Sequence, residues 1–334
     1  MKRQSLLKAL EIVKPGLANK ELISQSTSFA FIKGRVLTYN NEVSISHPVP
    51  ELKIEGAIRA EELYKLLSKL EQDEVELECS ESEIILKSGK VSAGLTLQSE
   101  IKLPLEEIGE HEKWKTLPDG FIKALKFCMF SCSKDMSRPV LTCVNVRKDG
   151  IVESTDNFRV TRYQQKEAMP TNTFLTPVSS IRELVKYPIV KIAEGRGWVH
   201  FKTEEKTLFS CRIFEDRFPD TSPILEVKGK EIVLPKSIGE SLDRASVFSK
   251  QEQFLNESIK ITLSDEQMKI CAKMDGAWFE ETSHIKYRED PITFSINPTF
   301  LKEIVEQAGT CILGENQVKF TGNNWEHVIA LQRN

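Results

Sequence analysis

Apolar residues recur along this chain at helical spacing, with stretches of strand-like alternation between them. Leu6, Leu10, Val13 and Leu17 follow at intervals of four, three and four. That is one stripe of a helix starting near Arg3 and ending near Pro15-Gly16. The same intervals recur at Phe121, Leu125, Cys128 and Cys132 after Pro118-Asp119-Gly120, and less regularly at Ile238, Leu242 and Ala245 after Pro235. A second stripe follows each first one at a matched offset: Leu63, Leu66, Leu67 and Leu70, then Ile181, Leu184 and Val185, then Phe300, Leu301 and Ile304. Asn297 with Pro298 marks the start of the last, an N-cap followed by a residue that needs no N–H. Segments 29–37, 75–86, 91–97, 198–209, 259–271 and 318–331 are rich in β-formers. They are divided by turns such as Ser88-Gly89 and Gly195-Arg196-Gly197.

The pattern therefore reads as three copies of helix, strands, helix, strands, each about 110 residues, a usual domain size. It predicts an α+β protein with domains at 1–113, 114–226 and 227–334, joined through the connections 105–113 and 222–230. The 334 residues are 40% hydrophobic and 28% charged, ordinary values for a soluble chain. No apolar run reaches a membrane span, and the N-terminus lacks a signal-peptide core. The seven cysteines have no CxxC spacing. Cys128 and Cys132 lie one helical turn apart without a second pair or a histidine at zinc spacing, so reduced core thiols in a cytoplasmic protein are expected.

Enzyme signatures are missing where catalysis would need them. There is no Walker loop, no GxGxxG after a strand and no GxSxG elbow. His111-Glu112 lacks the second histidine of a zincin, and His47, His111, His200, His284 and His327 are scattered. No metal and no cofactor is expected. Binding remains. Opposite the apolar stripes the predicted helices carry cations: Arg3, Lys8 and Lys14; Lys65 and Lys69; Lys123 and Lys126; Arg182 and Lys186; Lys236 and Arg244; Lys302. Taken singly these are ordinary surface lysines and arginines. Collected on one concave surface they would meet phosphates without reading bases. The net charge of −3 argues against a simple basic DNA-coating protein but not against cations kept on one face.

The stretch from Arg138 to Arg162 reads as a hairpin. Val140, Thr142, Val144 and Val146 share one face, Asp149-Gly150 makes the turn, and Ser154-Thr155-Asp156-Asn157 is a cluster that favours a second sharp turn. An exposed aromatic-plus-cation pair, Phe158 and Arg159, is expected next. This order resembles the middle domain of bacterial sliding clamps, the DNA polymerase III beta subunits. There an Arg-Pro-(Val/Ile)-Leu-Thr strand leads to an (Ala/Ser)-Thr-Asp-Gly-His-Arg loop. Asp216-Arg217-Phe218-Pro219-Asp220 is similar to the family's Gly-Arg-Phe-Pro-Asp segment.

The resemblance covers the whole chain, most strongly from residue 138 to 225. It implies the DNA clamp fold: three clamp domains, each two helices on antiparallel sheets, forming half of a ring. It implies a non-enzymatic processivity factor, a homodimer encircling duplex DNA. Partners would be DNA polymerase, clamp loader and repair proteins, in a bacterial or phage-infected cell. A peptide-binding pocket between the last two domains would take a Gln-Leu-x-Leu-Phe-like tail. Its implied residues are Leu141, Thr155, Asn157, Phe158, Arg159, Val160, Pro219, Ile224, Asn297, Phe300, Val328, Ile329, Ala330 and Leu331, with Phe254 a further candidate. Implied DNA contacts are Lys20, Arg138, Lys8, Lys69, Lys126, Lys186 and Arg244. Leu95, Val247 and Phe248 would close the ring. The chain departs from the family at Asn157-Phe158, where Gly-His is usual, and at Leu331-Gln332-Arg333-Asn334, where Met-Pro-Met-Arg-Leu is usual. Two rivals are a clamp-fold adaptor that never encircles DNA, and an α+β hydrolase with an unrecognised nucleophile.

Overall fold

The computed structural model describes residues 1–109, 113–251 and 256–332. His111, Glu112, Phe254, Arg333 and Asn334 lie outside them. The element order repeats one plan three times. The first pass runs α1 (Arg3–Val13), β1 (Ser28–Ile32), β2 (Arg35–Tyr39), β3 (Val43–Pro48), β4 (Gly56–Arg59), α2 (Ala60–Lys69), β5 (Glu76–Cys79), β6 (Glu83–Ser88) and β7 (Val91–Thr96). The second runs β8 (Lys115–Thr116), α3 (Phe121–Cys128), β9 (Cys143–Val146), β10 (Ile151–Thr155), β11 (Arg159–Gln164), β12 (Phe174–Pro177), α4 (Val178–Leu184), β13 (Ile189–Glu194), β14 (Trp198–Thr203) and β15 (Leu208–Arg212). After the short α5 (Ser222–Leu225) come β16 (Lys230–Val233), α6 (Ile238–Ser246), β17 (Ile259–Ser264), β18 (Gln267–Met274), β19 (Ala277–His284), β20 (Ile292–Ile296), α7 (Pro298–Val305), β21 (Thr310–Leu313), β22 (Gln317–Thr321) and β23 (Trp325–Ala330). The predicted α+β class holds. Among the described residues, no helix is long and apolar enough to cross a membrane.

The apolar stripes end inward. Leu6, Leu10 and Val13 of α1, Leu63 and Leu67 of α2, Phe121, Leu125 and Cys128 of α3, and Leu242 and Ala245 of α6 are all buried. Asn297 caps α7 as its sequence predicts, its Oδ1 accepting from the N–H of Thr299 (3.0 Å) and Phe300 (3.2 Å). Two expectations fail locally. Leu17 and Cys132 lie beyond the ends of α1 and α3, because each helix tightens into a 3-10 turn first. Residues Pro139–Thr142 form another 3-10 turn rather than the start of the hairpin strand. Pro139 has no N–H to give a strand ladder, and the Thr142 hydroxyl donates back to the Pro139 carbonyl at 2.7 Å. Val140 and Thr142 are therefore off the strand face that Val144 and Val146 occupy.

The chain forms two compact units, Met1–Asp119 with Met169–Glu215, and Gly120–Ala168 with Asp216–Asn334. In the first, an antiparallel sheet runs β4-β1-β2-β3-β15-β14-β13-β8. In the second, the order β9-β10-β11-β23-β22-β21-β16 corresponds to it strand for strand from β1 onward. Each long sheet thus joins strands of two successive repeats, at β3–β15 and at β11–β23. That is why the compact units do not follow the repeat. Two shorter sheets remain: β5-β6-β7 in the first unit and β19-β18-β17-β20 in the second.

With strands counted from the first helix of each repeat, one turn recurs in all three, between the second and third strands. It carries Asn40-Asn41, Asp156-Asn157 and Asp275-Gly276, with φ of 77° at Asn41, 74° at Asn157 and 76° at Gly276. Asn and Gly are the residues that enter this left-handed region at least cost. Asn157, where the resembled family has glycine, keeps the backbone conformation that glycine would supply.

Candidate functional site

The implied pocket residues fall within the second unit, around the β11–β23 pair. The register sets Arg159 opposite Ile329 and Val160 opposite Val328. The Ala330 N–H donates to the Phe158 carbonyl at 2.7 Å, extending the pairing to the loop before β11. Alternation then sends neighbouring side chains to opposite faces. On the face opposite the one that carries Arg159 and Ile329, Val160 and Val328 form a buried apolar floor together with Leu225 of α5, flanked by Val227.

The connection that carries Pro219 and Ile224 is pinned there by a buried carboxylate. Glu153 of β10 accepts from Arg162 Nε (3.0 Å) and Nη2 (2.9 Å), from the Thr221 hydroxyl (2.7 Å), and from Asn145 Nδ2 (3.0 Å). Arg162 also donates to Ser222 Oγ, and Lys319 to the Leu225 carbonyl at 2.8 Å. Asp220 starts the helical turn by accepting from the Ser222 N–H at 3.0 Å, a bond that holds its carboxyl below the usual range. Around this floor stand exposed Pro219, Ala330 and Asn157, Phe158 at 40% exposure and Ile224 at 43%; Leu331 is half-buried.

The remaining implied residues are buried, and they build the site rather than line it. Phe158 and Arg159 do not form an exposed pair: Arg159 is only 6% exposed. Its Nε donates to Asp156 Oδ2 (2.9 Å), Nη2 to the Phe130 carbonyl (2.6 Å) and Nη1 to Glu303. The guanidinium lies 4.1 Å over the Phe300 ring and 5.4 Å from that of Phe130. Asp156 Oδ1 accepts from the N–H groups of both Phe158 and Arg159 at 3.0 Å. Thr155 donates its hydroxyl to the Arg159 carbonyl at 2.7 Å. These bonds hold the loop that presents Phe158. Leu141, Phe300 and Ile329 are core, and Asn297 is spent on its cap. Leu225, Glu153 with Arg162, and Glu303 were not visible as site residues. The Thr221-Ser222-Pro223 helix start was the one signal available for the first of them.

Below Arg159, His327 of β23 is wholly buried, its Nδ1 2.8 Å from Thr161 Oγ1, which in turn meets Ser131 Oγ at 2.6 Å. Burial first, and the Arg159 charge second, push this imidazole down to about 3. The folded protein keeps it neutral, whereas an unfolded chain protonates it near pH 6.5. Its contribution is complete above pH 6.5 and is lost as pH falls toward 3, by about 1.4 kcal/mol per pH unit. Urea unfolding from pH 7 to 4.5 should show a slope that His327→Gln reduces; equal slopes would contradict the assignment.

The implied DNA contacts divide by partner. Lys8 of α1, Lys69 of α2, Lys126 of α3 and Lys20 are exposed and make no ion pair among the described residues. Lys186 is paired with Glu183 at 2.8 Å, and Arg244 with Glu281 at 2.8 Å. Lys302 bonds Asp243. Arg138 is exposed and reaches Asn157 Oδ1 at 3.5 Å. Arg3 instead donates to the Leu67 and Gln72 carbonyls at 3.0 Å, joining α1 to the end of α2. Of the implied ring-closing residues, Val247 is 57% exposed at the end of α6, Phe248 stacks on Phe279 of β19 at 5.7 Å, and Leu95 is half-buried on β7.

No protein-family model and no curated protein matches the chain in sequence. Solved structures do match in shape. The DNA polymerase III subunit beta from Pseudomonas aeruginosa aligns with a TM-score of 0.87 at 19% identity, covering 100% of this chain and 99% of that one. The DNA polymerase sliding clamp from Bacillus subtilis gives 0.86 at 19%, covering 100% and 98%. The beta subunit from DNA polymerase of Streptococcus pyogenes gives 0.87 at 20%, covering 100% and 99%. From its first helix to its last strand, the chain has the fold of the DNA polymerase III beta sliding clamps.

Proposed function

We propose that this protein is a sliding clamp, a ring of two copies that surrounds duplex DNA and tethers replication and repair proteins. The observation that carries this reading is the arithmetic of the sheets. Each long sheet joins the third strand of one repeat to the last strand of the next, β3 to β15 and β11 to β23. By the same rule β19, the third strand of the last repeat, seeks the last strand of a following repeat. The described residues hold none, but β7 stands among them as the unmatched last strand of the first repeat. Both are edges of their sheets among the described residues. Pairing β19 of one copy with β7 of another, twice, closes the set and leaves no long edge for aggregation. The three domains 1–113, 114–226 and 227–334 would then be six equivalent modules in the assembly. The exposed lysines of α1, α2 and α3 would face DNA through weak, non-specific phosphate contacts, and the pairs at Lys186 and Arg244 keep that attraction low enough for sliding. The ring itself performs no chemistry.

Retention on DNA tests the reading. Loaded protein should stay on a circular plasmid and be lost once the plasmid is linearised; equal loss from both forms would remove the ring. Tethering would use the apolar floor at Val160 and Val328, with Phe158 as the exposed anchor in place of the family's histidine. Phe158→Ala should weaken a Gln-Leu-x-Leu-Phe-type peptide by about 30-fold, a hot-spot effect. Unchanged affinity by fluorescence anisotropy would move the pocket elsewhere.

A further inference from the structure

The repeat builds a second surface of the same construction in the first unit, with different chemistry. Asn40 stands where Asp156 stands: its Oδ1 accepts from the N–H groups of Glu42 (3.1 Å) and Val43 (2.8 Å). The Arg212 N–H donates to the Glu42 carbonyl at 2.8 Å, as that of Ala330 does to Phe158. In this register Ser44 and Ser210 are opposite one another where the second unit pairs Val160 with Val328. The apolar floor has become hydroxyls.

A groove of about 510 Å³ lies over this part of the sheet, walled by Leu37, Leu105, Trp114 and Leu208 and carrying two cations, Arg35 and Lys202. No carboxylate lines it among the described residues. Arg35 is half-buried and donates only to neutral oxygens: Ser46 Oγ (2.7 Å), the Ser46 carbonyl (3.0 Å) and the Lys206 carbonyl (2.8 Å). Lys202 sits 5.2 Å from the Trp114 ring centroid. Neither cation has an ion-pair partner among the described residues. A cation partly withdrawn from water without a counter-ion gains most when a carboxylate arrives. Leu37, Ser46, Leu208 and Lys202 form one row across β2, β3, β15 and β14. Arg35 lies two residues from Leu37 along β2, so it is separated from Lys202 by three strand spacings across and about 7 Å along, about 16 Å in all, which an extended peptide covers in about five residues.

We propose that this groove docks an extended acidic segment of a partner protein, with apolar side chains over Leu37 and Leu208 and a carboxylate at each end, one on Arg35 and one on Lys202. The proposal rests on the fold and the charge pattern, and holds whether or not the ring closes.

The test uses two fluorescein-labelled synthetic peptides, Glu-Leu-Ser-Leu-Glu and Lys-Leu-Ser-Leu-Lys, titrated with the full chain by anisotropy. The acidic peptide should bind, and the basic one at least about tenfold more weakly. Lys202→Glu, at a half-exposed position that leaves the sheet intact, should cost about tenfold. Arg35→Lys, which keeps the charge, should cost less than Arg35→Ala. Equal binding of both peptides, or unchanged affinity in Lys202→Glu, overturns the proposal. Loss of binding in Phe158→Ala would also overturn it, by assigning the peptide to the second unit's pocket. So would binding that appears only after Glu110→Gln and Glu112→Gln, residues outside the described ones, because the chain's own acidic segment would then be the occupant.

Discussion

Replacing Arg159 by Met is expected to lower the unfolding free energy by about 3–5 kcal/mol, the cost of breaking a buried ion pair from one side. The guanidinium is the hub of the candidate pocket. It satisfies the buried Asp156 carboxylate, the Phe130 carbonyl and Glu303, and covers Phe300. Met fills much of the volume but donates nothing, so Asp156 keeps only its two backbone donors. Arg159→Lys should recover part of the loss, since one ammonium cannot serve the same fork of acceptors. The urea midpoint reads the effect. Because Asp156 also fixes the Asn157-Phe158 loop, peptide affinity should fall with stability in Arg159→Met, whereas Phe158→Ala should lose affinity alone. A midpoint within about 0.5 kcal/mol of the parent, the usual range for an uninvolved surface residue, would mean the network does not hold the loop.

Phe248→Asp is expected to convert a dimer into a monomer at micromolar concentration, weakening association by more than about 100-fold, or about 2.7 kcal/mol. Phe248 lies just past α6 and stacks on Phe279 of the edge strand β19, with an interplanar angle of 18°. Neighbouring Val247 exposes an apolar surface that nothing among the described residues covers. A carboxylate there would be desolvated on closure without a donor, and a two-fold ring would incur that cost at both joints. Light scattering measures the mass. Retention on circular DNA should vanish in the same variant while peptide binding persists, because the residues of the proposed pocket all lie within one unit of one chain. A variant that stays dimeric would place the joint elsewhere. A parent protein found only as monomer would favour the adaptor reading, in which the clamp fold binds replication proteins without encircling DNA.

Much of this could be read from residue order, because it depends on local physics. The stripes at Leu6, Phe121 and Ile238 determined the helices and their buried sides, since side-chain direction follows from a fixed helical period. Asn297 with Pro298 determined where α7 begins. The three-fold recurrence, and the loop signature of residues 154–159 with the 216–220 segment, were enough to point to the clamp fold. Tertiary structure alone decided which of those residues reach the surface. Arg159 reads like a binding residue, yet its partner Glu303 is 144 residues away, and that distant carboxylate with two aromatic rings draws it inside. Lys186 and Arg244 look equivalent to Lys8 and Lys126 until Glu183 and Glu281 are placed beside them. The serines that stand for valines at β3–β15 acquire meaning only through register, which no single strand contains. Periodicity specifies which side of an element is apolar; what covers that side, and which charges cancel, is settled by segments far apart in the chain coming together.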